Sequence, residues 1–86
     1  MRVHELKCWP QVFTDTIDGL KLFEVRWDDR GFAVGDKLLL REWDNVKEEY
    51  TGRTCKRRVK YILRGGQFGI DEGYVVMGTV KARKGE

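Results

Sequence analysis

Apolar and polar positions alternate along most of this chain, and the alternation predicts strands. Residues 3–8 form a first strand with faces Val3, Glu5, Lys7 and His4, Leu6, Cys8. Trp9-Pro10 breaks the alternation, and proline suits a first helical position. Trp9, Phe13 and Ile17 then recur every four residues, which predicts a short helix with one apolar stripe, closed by Gly19. Residues 21–27 alternate again, with Phe23, Val25 and Trp27 on the apolar face and Leu22, Glu24 and Arg26 on the other. Phe23 and Val25 are expected to join Trp9, Phe13 and Ile17 in the core. Asp28 to Gly31 reads as a loop, and Val34-Gly35-Asp36 as a turn into a strand from Lys37 to Trp43. Asp44 to Gly52 reads as a polar hairpin connection. The longest strand runs from Arg53 to Leu63, with Arg57, Val59, Tyr61 and Leu63 opposite Lys56, Arg58, Lys60 and Ile62. A glycine-rich loop, 64–69, precedes a last strand, 74–80, and residues from about 81 form a polar tail. Five short strands and one helix between the first two predict an α+β, mainly β fold, a small barrel in a single domain spanning residues 1–86.

Composition narrows the function. Among 86 residues, 17 Lys and Arg face 14 Asp and Glu, a net charge of +3. That small excess hides an asymmetry. Residues 1–52 hold 8 basic and 11 acidic side chains, whereas residues 53–86 hold 9 basic and 3 acidic. The basic excess lies mostly on Arg53, Lys56, Arg57, Arg58, Lys60 and Arg64. Such a run attracts polyanions through steering and counterion release, although a solvated strand face would carry the same charges.

Several chemistries are excluded or unsupported. The chain contains no serine, so serine catalysis is excluded. It has one histidine, His4, which reads as a structural residue, and two cysteines, Cys8 and Cys55, without zinc-ligand spacing. No metal and no cofactor are expected. No apolar run spans a bilayer and no signal peptide is apparent, so a cytoplasmic monomer away from membranes is the expectation.

One cluster carries chemistry. Gly19-Leu20-Lys21-Leu22-Phe23-Glu24-Val25-Arg26 joins a helix end to a strand bearing Lys, Glu and Arg. Arg offers a planar fork, Lys a point charge, and Glu an acceptor for amino or imino groups, a set suited to a nucleobase or a phosphate. A Lys beside a carboxylate also suits proton transfer. The alternative is a structural ion pair of Glu24 with Arg26 or Arg30.

The ordered pattern Gly19-x-Lys21-x-x-Glu24-x-Arg26, then Phe32-x-Val34-Gly35-Asp36, resembles the ASCH domain family of the PUA-like superfamily. His4-x-Leu6-Lys7, Tyr61-Ile62-Leu63-x-Gly65-Gly66 and Gly73-Tyr74-Val75-Val76-Met77 resemble its compact bacterial and phage subgroup. The resemblance covers residues 3–80 and implies a small β-barrel with a cleft beside the first helix that binds RNA or modified nucleotides. One branch of that family hydrolyses the acetyl amide of acetylated cytidine. Lys21 matches its lysine, Glu24 stands where it has a threonine, and the insertion carrying its glutamate has no counterpart here. The leading expectation is therefore an RNA- or nucleotide-binding module using Lys7, Lys21, Glu24, Arg26 and Arg30, with Arg53, Lys56 and Arg58 as an accessory basic strand. Exposed Trp27, Trp43 and Tyr50 would stack bases. An amidohydrolase of modified nucleosides, with Lys21 and Glu24 catalytic, is the second expectation, and a protein-interaction module the third.

Overall fold

The computed structural model describes residues 1–83 and 85. Its elements are β1 (Val3–Cys8), α1 (Pro10–Ile17), β2 (Phe23–Trp27), β3 (Lys37–Asp44), β4 (Glu49–Arg64) and β5 (Tyr74–Lys81). All five strands share one sheet in the order β1-β3-β4-β5-β2. β1 runs parallel to β3, and the other pairings are antiparallel. The sheet curls into a half-barrel, so its two edge strands face each other. Arginines span the seam between them: Arg26 donates to the carbonyl of Lys7 at 3.0 Å and Arg30 to that of Glu5 at 2.7 Å. These side chains occupy carbonyls that a bare sheet edge would offer to another chain.

The helix is eight residues long, too short to persist alone. Pro10 opens it, and Gly19 ends it in the left-handed region at φ +77°. The amides of Gly19 and Leu20 return to the carbonyls of Thr16 and Asp15 at 3.1 and 2.9 Å. This is a Schellman ending, and it fixes the direction in which the chain leaves toward β2. The helix buries Phe13 and Thr16. Phe13 joins Leu6, Leu38, Leu40, Val59 and Met77 in the core inside the curl. Burying one such ring contributes about 2–3 kcal/mol.

Four sequence expectations need correction. Only Phe13 of the expected group Trp9, Phe13, Ile17, Phe23 and Val25 is buried, and the other four are about half exposed. In β2 the polar parity faces inward: Glu24 is 4% exposed, whereas Phe23, Val25 and Trp27 lie on the outer face. Glu24 tolerates this because two cations hold it inside. In β4 an extra residue between Val59 and Tyr61 reverses the alternation. Val59 therefore points inward, yet beyond the bulge Ile62 packs on the core, and Tyr61 is exposed. Finally, β3 and β4 extend through Asp44 and from Glu49, leaving a turn of only four residues. Gly52, at φ +92°, sits in the bulge where the β3–β4 register shifts.

Other expectations hold. Arg57 shares the inward parity of Val59 and is buried, donating to the hydroxyl and carbonyl of Thr79, both at 3.1 Å. His4 is structural: its Nε2 meets Asp36 Oδ2 at 2.8 Å, and its ring packs edge-on against Phe32 at 4.8 Å. Of the expected polar tail, Ala82 and Arg83 follow β5, and Lys84 and Glu86 lie outside the described residues.

Candidate functional site

The helix ending builds the site. The amide of Lys21 also bonds the Asp15 carbonyl, at 3.0 Å, so Lys21 is tied to the capped turn before β2 begins. Strand alternation does not govern it, and its ammonium swings back to Glu24 and to the carbonyl of Phe23, the latter at 2.7 Å. On the other side Arg26 grips Glu24 from Nε at 3.2 Å and from Nη2 at 3.1 Å. Both carboxylate oxygens of Glu24 are thereby occupied: Oε2 by Lys21 and Oε1 by Arg26.

The three side chains together carry one positive charge. Lys21 and Arg26 keep 18% and 27% of their side-chain surface open, whereas Glu24 keeps 5%. The cations thus form the accessible part of the cluster, and the carboxylate orients them from below. Of the ammonium's three protons, two serve Glu24 and Phe23. Next to Lys21 lies an open, mostly apolar recess of about 510 Å³, walled by Val12, Leu20 and Phe23 and by the acidic Asp15. An apolar wall beside a few convergent polar groups is the composition of small-molecule sites.

The interior behind the cluster is closely packed, with Cys8 buried in the core. Burial, and secondarily the Glu24 carboxylate, push the Cys8 thiol up to about 11. Burial also raises Cys55. Both thiols are therefore neutral near pH 7, which suits structural roles rather than nucleophiles. Among the described residues, no group of three or more His, Cys, Asp or Glu side chains could hold a metal ion.

The other candidate residues are dispersed. Lys7 stands on the outer side of β1, its ammonium 3.9 Å from the centroid of Trp43. Trp43 is accordingly half-buried, while Trp27 and Tyr50 are exposed. Arg30 lies farther along the seam, donating to Glu5 and pairing with Asp29, not with Glu24. Arg53 reaches Glu42 at 3.5 Å and crosses the ring of Phe13 at 5.0 Å. Lys56 and Arg58 lie on β4, opposite Leu39 and Lys37 of β3. The structure therefore brings Lys21, Glu24 and Arg26 together, places Lys7 beside them through its carbonyl, and leaves Arg30, Arg53, Lys56 and Arg58 outside the cluster.

Two features escaped the sequence pattern. Glu42 is a second buried carboxylate, held by the hydroxyl of Thr51 at 2.8 Å as well as by Arg53. Its partners come from a bulge that alternation does not reveal. Asp36 is buried too, and its link to His4 depends on the β1–β3 register across 32 residues.

Residues 3–79 match the family described as Domain of unknown function (DUF3850). Over 58 residues the chain is 36% identical to an "Uncharacterized 12.9 kDa protein in GpA 3'region" of Escherichia phage P2. The match covers 67% of this chain and 51% of that protein, so the chain spans about half the length of this relative. No helix among the described residues is long and apolar enough to cross a membrane.

Proposed function

The chain belongs to the DUF3850 family, a domain of unknown function, and from the geometry of its seam we propose that it binds RNA or a nucleotide. One observation carries the reading: Lys21 and Arg26 converge on a buried Glu24, and Lys21 also lines an apolar recess. The cluster's single net positive charge suits one phosphate or an electron-rich base edge. The recess formed by Val12, Leu20 and Phe23 accepts a flat ring. The basic residues of β4 then serve as an accessory track for neighbouring phosphates. This is the role implied by the ASCH and PUA-like resemblance.

A titration of short single-stranded RNAs and of nucleoside monophosphates tests the proposal. Binding is expected at 50 mM salt and should weaken steeply by 200 mM, with a log–log slope of about −0.7 per phosphate neutralised. Absence of binding at low salt would refute it. The same samples discriminate the hydrolase reading. Release of acetate from acetylated cytidine that disappears in Lys21→Ala would make the site catalytic, with Lys21 touching the substrate.

A further inference from the structure

A second recess lies on the other side of the helix end, between α1, β4 and the close of β5. Its volume is about 360 Å³, and Thr16, Thr54, Lys56, Arg57 and Lys81 line it. This lies near the low end of ligand pockets, roughly 300–1,000 Å³. Arg57 distinguishes it from a solvated basic patch.

Arg57 is 6% exposed. Its hydrogen bonds run from Nε to the hydroxyl of Thr79 and from Nη2 to the carbonyl of the same residue. Both acceptors are neutral, and among the described residues no carboxylate pairs with it. A buried guanidinium without a counter-charge is the costly arrangement, because burial strips its hydration and supplies only dipoles in return. Among the described residues that line the recess, none supplies the anion. Cys55 lines the same recess, but burial keeps its thiol protonated against the pull of Arg57 and Lys81. Lys81 pairs with Arg57 in the β4–β5 register and adds positive charge. The Nη1 edge of the Arg57 fork makes neither of the two bonds to Thr79.

We propose that this recess is a phosphate-binding site in which Arg57 and Lys81 meet the anion and Thr16 and Thr54 border it. Arginine presents parallel N–H groups to phosphate oxygens, and lysine adds a point charge. The recess is larger than a phosphate alone requires, so it also accommodates a phosphate that ends a nucleotide. The site stands independently of whether the seam cluster binds a base.

Inorganic phosphate is the first probe, followed by uridine monophosphate. Thermal unfolding is followed against chloride at equal ionic strength, and binding is mapped on the Arg57 Nε and Thr79 amide NMR signals. Saturable stabilisation of about 5 °C at 10 mM phosphate is expected, with shifts at Arg57 and Thr79. Lys81→Ala, a change at an exposed side chain, should weaken phosphate about threefold to tenfold, and Arg57→Gln should abolish binding if it folds. Lys47→Ala, which removes one charge from the exposed β3–β4 turn, should leave the affinity within twofold, and the Arg57 and Thr79 signals separate this site from the seam. Tighter binding of uridine monophosphate, read at the Arg57 and Thr79 signals, identifies a nucleotide as the source, and equal binding there identifies free phosphate; both support the site. A non-saturating rise that is equal in Lys81→Ala would be general salt exclusion and would overturn the proposal. Shifts confined to Lys21 and Arg26 would overturn it as well.

Discussion

Arg26 donates from Nη2 both to the carbonyl of Lys7, at 3.0 Å, and to the carboxylate of Glu24, at 3.1 Å. One guanidinium thus bridges the two edge strands of the half-barrel and neutralises the acid beneath the cluster. Lysine cannot reproduce this, because a single ammonium lacks the planar fork. Arg26→Lys should lower stability by about 1–2 kcal/mol in urea unfolding, and Arg26→Ala by about 2 kcal/mol, since Lys21 still pairs with Glu24. Equal stability in all three proteins would show that the seam does not depend on this contact.

Acid should unfold the protein through Asp36 and Asp28. Burial pushes the Asp36 carboxyl up, but the bonds from His4 and from the Arg2 and Ala33 amides outweigh it and hold it below its usual value. For Asp28, burial is likewise outweighed by the amides of Phe32 and Gly31 and by Arg64. A carboxyl depressed in the folded state adds stability above its unfolded value of about 3.9, and that stability is lost as pH falls through the folded value. Urea midpoints should therefore be flat above about pH 5 with respect to these groups and fall below about pH 4. Asp36→Asn should flatten that acid limb while costing about 3 kcal/mol at pH 7, where it leaves His4 and two amides without the charge. An unchanged acid limb in Asp36→Asn would contradict this assignment.

Two glycines with similar backbones should respond differently to alanine. Gly73 and Gly52 both have φ +92°. A Cβ at Gly73 would overlap the Trp27 ring, whose Cη2 lies 2.5 Å away, whereas one at Gly52 meets nothing within 4 Å. Gly52→Ala should cost only the conformational strain, about 1 kcal/mol. Gly73→Ala should cost about 3 kcal/mol, because the ring must also move. Similar losses at the two positions, measured by chemical denaturation, would argue against the Trp27 contact.

The Cys8 thiol should be inert in the folded protein. With its pKa near 11, about one molecule in a thousand carries the thiolate at pH 8. Cys8 is also 2% exposed. Ellman's reagent should label it at the rate of unfolding, and labelling within seconds under native conditions would exclude the buried placement.

Local signals made most of the fold legible. Alternation located β1 from Val3 to Cys8 with its observed ends, and Pro10 and Gly19 bracketed the helix. The face of β2 was not legible, because the rule that apolar residues point inward fails where a carboxylate is held by two cations. Such failures concentrate at functional or strained sites. The same inversion explains why Phe23, Val25 and Trp27 face outward. The reversal after Val59 depends on one extra residue that no local pattern marks. The Lys21–Glu24–Arg26 grouping was legible because all three lie within six residues. The neighbours of Arg57 come from α1, β4 and β5, so only tertiary structure reveals them.

On the proposed reading, Lys21 binds RNA as a member of the seam cluster rather than through its charge alone. Fluorescence anisotropy with a labelled single-stranded RNA should compare wild type, Lys21→Ala and Lys47→Ala at 50 mM salt. Lys47 lies exposed in the β3–β4 turn, so its removal deletes the same charge outside the cluster. Lys21→Ala should lose about tenfold in affinity, roughly 1.4 kcal/mol, and Lys47→Ala less than twofold. Equal losses in the two variants, or no binding by the wild type, would contradict it.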